Sequence, residues 1–135
     1  MWTAQNRVGR LIEGRIQALR TQEEAVAYAT EFHRLIRLVG EPVVICADYR
    51  AVGVFPPAVA DELQKLMQAT NPVIVRSAAL VSVDHATNVM QVERVVRESG
   101  SSLRRKFVDQ RGLQSWLGEI LTPVEKDRLA AFLAS

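Results

Sequence analysis

The sequence is poor in the residues that build metal sites and disulfides. It contains one cysteine and two histidines among 135 residues. A single cysteine excludes an intrachain disulfide, and one cysteine with two distant histidines cannot supply the ligand spacing of a zinc site. We therefore predict no metal and no cofactor. We expect the protein to lie in the reducing environment of the cytoplasm, with Cys46 as a small core residue because it lies inside an apolar run.

Membrane segments and the common catalytic motifs are also missing. No apolar run approaches the ~18 residues that a membrane helix needs, and the first residues, "MWTAQNRVGRLIEG", lack the apolar centre of a signal peptide. The glycine-rich loops that bind nucleotides are absent, as is the nucleophile elbow of the serine hydrolases. We expect a protein that is not an enzyme and does not bind a membrane.

The chain has little net charge and few aromatic residues. Seventeen Lys and Arg nearly offset fifteen Asp and Glu, which gives a formal net charge of +2, and aromatic residues make up 6%. Without a strong positive charge or a stacking surface, we predict no nucleic-acid partner. The basic cluster at Arg104, Arg105 and Lys106 is predicted to be a solvated edge strand that discourages pairing between sheets. The alternative is a contact with an acidic partner or with phosphates.

Strand and helix patterns alternate along the chain. The segments "PVVICA" (42–47) and "VIVRSAALVSV" (73–83) are almost continuously apolar, which is typical of parallel strands covered on both faces. An alternating pattern near the N-terminus predicts a half-buried strand, with a bulge or hairpin at Gly14. Capping-box sequences predict helices that begin after Thr21 and Thr122, and Pro57 fits the first turn of another helix. The predicted fold is a single α/β domain with a mostly parallel sheet of four to five strands and packed helices.

This order of elements and the ending "FVDQRGLQSWL" resemble the STAS domain, a SpoIIAA-like fold that is shared with CRAL-TRIO domains. The resemblance implies a STAS-like domain over residues 1–121 and a C-terminal helical extension of the same domain over residues 122–135. It implies a non-catalytic regulatory or interaction domain that binds a protein partner, or itself as a homodimer. Regulatory STAS domains carry a phosphoacceptor serine at the start of the second helix. The matching residues here, "GVFPPA" (53–58), have no hydroxyl group, so no phosphoacceptor is implied.

The loop after the strand "VVICAD" is the predicted partner-binding surface. In the family that the chain resembles, this loop and the following helix contact the partner. Exposed apolar residues in a loop are often interface anchors. The alternative for this loop is that its apolar residues fold back onto the core. The candidate residues are Arg50, Val54, Phe55 and Pro56.

The carboxyl ends of the parallel strands give a second prediction. Small ligands often bind beyond this edge of an α/β sheet, so a small-ligand or anion sensor is the alternative function. The candidate ligand-binding residues are Asp48, Tyr49, Arg50, Asp84 and His85. Polar residues at strand ends also commonly cap the next helix or shape a turn, and we favour that interpretation for Asp84 and for Asp109.

Overall fold

The computed structural model describes all 135 residues. The chain forms one five-stranded sheet with five α-helices, which confirms the predicted α/β class. The strands are β1 (Trp2–Val8), β2 (Leu11–Ile16), β3 (Val43–Asp48), β4 (Ile74–Leu80) and β5 (Arg104–Phe107). The helices are α1 (Gln22–Val39), α2 (Pro57–Thr70), α3 (Ala86–Glu98), α4 (Gln110–Gly118) and α5 (Pro123–Ala134), with a short 3-10 turn at Asn71–Val73.

The first two strands form a hairpin that differs in detail from the prediction. The chain turns at Gly9, whose positive φ of 54° suits the absence of a Cβ atom, and β1 pairs antiparallel with β2. Gly14 marks neither a bulge nor the turn, because it lies inside β2. A Cβ atom there would lie only 2.5 Å from the Tyr28 hydroxyl oxygen and 2.7 Å from the Phe32 ring. Gly14 is therefore required by the close approach of α1 to the sheet.

The strand order follows the chain order, β1-β2-β3-β4-β5, and the pairs from β2 onward are parallel. When strand order never reverses, crossovers of the usual right hand place every connecting helix on one face. Side chains of α1, α2 and α3 accordingly share one core cluster with the sheet. The cluster on the opposite face contains side chains of α4 and α5.

Alternate residues of β3 divide between these two cores. Ile45 and Ala47 face the three crossover helices, whereas Val44 and Cys46 face α4 and α5. Both faces of the strand are covered, which explains why its sequence is apolar without alternation. Cys46 is completely buried, and burial raises the pKa of its thiol far above the usual value.

The C-terminal helix closes the second face of the sheet. Its start is a complete capping box, in which Thr122 and Glu125 each bond the backbone amide of the other. Two of its buried residues, Leu129 and Phe132, pack in the same cluster as Leu11 of β2. None of the helices combines the length and the hydrophobicity that crossing a membrane would require.

Candidate functional site

The carboxylate of Asp48, at the end of β3, accepts hydrogen bonds from two arginines. Arg50 donates from its backbone amide and from Nε to Oδ1, and from Nη2 to Oδ2, over 3.0–3.1 Å. Arg15 of β2 donates from Nε to Oδ2 at 3.0 Å. Burial alone would raise the pKa of Asp48, but the hydrogen bonds from Arg50 and Arg15 hold that pKa below its ordinary value. The carboxylate is therefore ionised, and Arg15 and Arg50 occupy both of its oxygen atoms with hydrogen bonds.

The same two arginines bind the C-terminal end of α5. Nη2 of Arg15 donates to the carbonyl oxygen of Phe132 at 2.7 Å, and Nη2 of Arg50 donates to that of Leu133 at 2.9 Å. The guanidinium of Arg15 also lies over the Phe132 ring, 4.5 Å from its centroid. The last carbonyl groups of a helix have no partner within the helix, and positive charge there is favourable. Asp48, Arg15 and Arg50 thus fasten the C-terminal helix to the sheet.

The side chain of Tyr49 points to the opposite face from that of Asp48, as expected for consecutive residues of an extended chain. Its ring packs edge-on against Phe55, with ring centroids 5.5 Å apart, and the residue is buried. Burial raises the pKa of Tyr49 to about 12. Tyr49 is therefore a neutral core residue, separated from Asp48 by the sheet.

His85 and Asp84 lie where α3 begins. His85 takes the N-cap position without a side-chain bond to the helix, and Asp84 is exposed in the preceding turn. The ring of His85 is near the loop after β3, since a Cβ atom on Gly53 would lie 3.9 Å from its Nδ1. The shallow depression that Asp48 and Arg50 line does not include His85, so the predicted ligand-binding residues do not converge on one site. Asp109, in contrast, is confirmed as a cap, because its side chain accepts a hydrogen bond from the Gly112 amide of α4.

The loop between β3 and α2 is held firmly by α3. The side-chain amide of Gln91 accepts a hydrogen bond from the Phe55 amide and donates one to the Phe55 carbonyl, both at 2.8 Å. This pairing turns the Phe55 side chain inward, where it is only 1% exposed. Phe55 is therefore not the exposed anchor that it was a candidate for, and the alternative, that it folds back onto the core, is the one observed, whereas its neighbour Val54 is 59% exposed. Pro56 is half-buried and is the residue before the first turn of α2.

Two further exposed apolar residues belong to the elements that contact this loop. Val83, which is 69% exposed, precedes His85 by two residues, and His85 lies against Gly53. Met90, which is 70% exposed, precedes Gln91, which holds Phe55. Val54, Val83 and Met90 are called the apolar surface below. The sequence indicated the loop but not Val83 or Met90, because the contacts of His85 and Gln91 with the loop join distant parts of the chain.

Arg104 is a buried arginine that sequence reasoning missed. It is 6% exposed, although the basic cluster was predicted to be solvated. Nε donates to Asn71 Oδ1 at 2.8 Å, and Nη2 donates to the carbonyl of Met67 and to Thr70 Oγ1. All these partners lie at the C-terminal end of α2 or directly after it, and none is a carboxylate. Burial lowers the pKa of Arg104 to about 10, so the guanidinium remains charged at neutral pH.

A second buried charge joins α5 to the sheet. Glu13 of β2 is completely buried and accepts bonds from Nε and Nη2 of Arg128 at 2.6 and 2.7 Å. The alternating pattern predicted a half-buried strand, in which a glutamate such as Glu13 would lie on the solvated face. Because α5 covers that side, Glu13 instead serves as an anchor for the helix.

Comparison of the sequence with models of protein families gives no match, and comparison with curated proteins gives none either.

Proposed function

We propose that the chain is a non-catalytic, STAS-like interaction domain of the cytoplasm that binds a protein partner or a second copy of itself through the apolar surface. The observation that carries this proposal is that three exposed apolar residues, Val54, Val83 and Met90, belong to a loop with a fixed conformation and to the turn and helix that contact it. The mostly parallel sheet with an antiparallel hairpin at its edge supports a STAS-like assignment. The phospho-switch of regulatory STAS domains is not part of the proposal, because residues 53–58 contain no hydroxyl group.

A fixed loop favours binding by a preformed surface. The Gln91 amide holds both the amide and the carbonyl of Phe55, and the Phe55 ring is locked in the core. Val54 is consequently presented outward at little further cost in conformational entropy when a partner binds. Exposed apolar residues that form one patch are characteristic of interaction surfaces, whereas single ones are not, and we propose that these three residues form such a patch.

A second copy of the chain is the occupant that the chemistry of this surface suits best. An isologous dimer requires a patch that is complementary to itself. An apolar patch meets this requirement, since two copies can face each other without opposing like charges. None of its three residues is charged, and none of their side chains forms a hydrogen bond within the protein.

Light scattering coupled to size-exclusion chromatography tests this proposal. The wild-type chain is expected to elute as a dimer, and Val54→Arg as a folded monomer, because the new charge would be desolvated at the interface. Leu38→Arg is the matched control: Leu38 is 69% exposed on α1, away from the loop, and its substitution should leave the dimer intact. A wild-type chain that remains monomeric at every concentration would contradict self-association.

A further inference from the structure

A small cavity lies between the sheet and helices α1 and α2, next to Arg104. Its volume is about 30 Å³, and its wall is mostly apolar. One water molecule needs about 10–15 Å³ of such volume, so the cavity has room for two or three non-hydrogen atoms. The polar residues in its wall are Tyr28, Tyr49, Thr70, Ser77, Arg104 and Arg105, and no Asp or Glu lines it. The guanidinium of Arg105 lies over the Trp116 ring, on the other face of the sheet, so Arg104 alone supplies a charge to the cavity.

Part of the Arg104 guanidinium forms no hydrogen bond within the protein. The end of α2 engages Nε and Nη2, and this accounts for the position of the side chain. Nη1 has no hydrogen-bond partner in the protein. The three hydrogen bonds go to neutral groups, so no carboxylate balances the charge of this largely buried side chain. A charge in such surroundings is costly unless it is paired.

A second donor in the same cavity is also without a partner. The hydroxyl of Tyr28 is buried and makes no hydrogen bond. Burial, together with the neighbouring side chain of Tyr49, raises its pKa well above the usual value, so it stays protonated and can donate. A buried hydroxyl without a partner is uncommon in folded proteins and needs an explanation.

We propose that this cavity binds a small monovalent anion of the size of chloride or formate, held by Nη1 of Arg104 and by the Tyr28 hydroxyl. The site offers one full positive charge, several N–H and O–H donors and no carboxylate, so it favours an anion over a cation. Its volume excludes sulfate or an organic acid with a side chain. The bound anion supplies the counter-charge that Arg104 lacks and strengthens the contact between β5 and the end of α2. The proposal is independent of the apolar surface.

Bromide is the probe for this site, since it replaces chloride and can be located by anomalous scattering. The thermal unfolding of the full chain is followed while sodium bromide replaces sodium gluconate at constant ionic strength. The wild-type melting temperature should rise by about 5 °C when bromide reaches ten times its dissociation constant. Tyr28→Phe should fold normally, because it removes only a hydroxyl without a partner, but it should bind bromide about tenfold more weakly.

Two further variants separate a specific site from a general salt effect. Arg104→Met should abolish the bromide response, whereas Arg97→Gln should retain it, because Arg97 is exposed on α3 and forms no ion pair. A crystal grown with bromide should show one anomalous peak within hydrogen-bonding distance of Arg104 Nη1. Water alone at that position would overturn the proposal. An equal bromide response in the wild type and in Tyr28→Phe would also overturn it, even if Arg104→Met fails to fold.

Discussion

Removing the carboxylate of Asp48 should strongly destabilise the fold without affecting the apolar surface. Asp48 is 4% exposed and accepts four hydrogen bonds from Arg15 and Arg50. In Asp48→Ala these arginines remain beside the end of α5, but their charges have lost the carboxylate that compensates them. The variant therefore leaves two partly buried cations close together.

The expected loss of unfolding free energy depends on how exposed the side chains of Arg15 and Arg50 are. Breaking a buried ion pair by removing one member costs about 3–5 kcal/mol. The arginine side chains are 23% and 36% exposed, so water screens part of the loss. The free energy of unfolding should accordingly fall by about 3 kcal/mol, at the lower end of that range.

Urea unfolding followed by circular dichroism measures this change, with Glu93→Ala as the control. Glu93 pairs with Lys106 at 3.7 Å but is 58% exposed, so its loss should change the free energy by less than about 0.5 kcal/mol. Equal unfolding midpoints for Asp48→Ala and the wild type would refute the structural role of Asp48.

The pH dependence of the unfolding free energy provides a second check. Because the folded state lowers the pKa of Asp48, its contribution is complete above the usual carboxyl pKa and is lost as the pH falls through the folded value. The difference between the wild type and Asp48→Asn should therefore shrink in acid.

Two other substitutions test the packing around the loop and the hairpin. Phe55→Ala should lower the free energy of unfolding by about 3–5 kcal/mol, since it empties a buried site, and a change below about 1 kcal/mol in a denaturant titration would contradict the burial of this ring. Gly14→Ala should destabilise the protein by about 1–3 kcal/mol, because its Cβ atom would lie 2.5 Å from the Tyr28 hydroxyl oxygen; a melting temperature equal to that of the wild type would show that α1 can move away.

Local patterns in the sequence were sufficient to predict the order of the elements from α1 onward. The capping box at Thr122 and the proline at Pro57 mark where α5 and α2 begin, and these signals depend on neighbouring residues only. The continuous apolar character of β3 likewise indicated that the strand is covered on both faces.

The contacts that decide the roles of the candidate residues join distant parts of the chain. Glu13 and Arg128 are 115 positions apart, and Phe55 is 36 positions from Gln91. Arg104 reaches Thr70 across 34 positions. Periodicity carries no information on such pairs, so an arginine in a basic strand was expected to be solvated, and the sequence could not decide whether Phe55 is exposed or packs onto the core.

Asp48, Tyr49 and Arg50 thus form part of the framework, and the proposed function depends on the apolar surface beside them. The most direct test compares amide proton–nitrogen NMR spectra of the wild-type chain in dilute and in concentrated solution. Shifts are expected only in the loop around Val54, the turn around Val83 and the start of α3, and Val54→Arg should abolish them. Shifts centred on α4 and α5 would contradict the account, as would spectra that do not change with concentration.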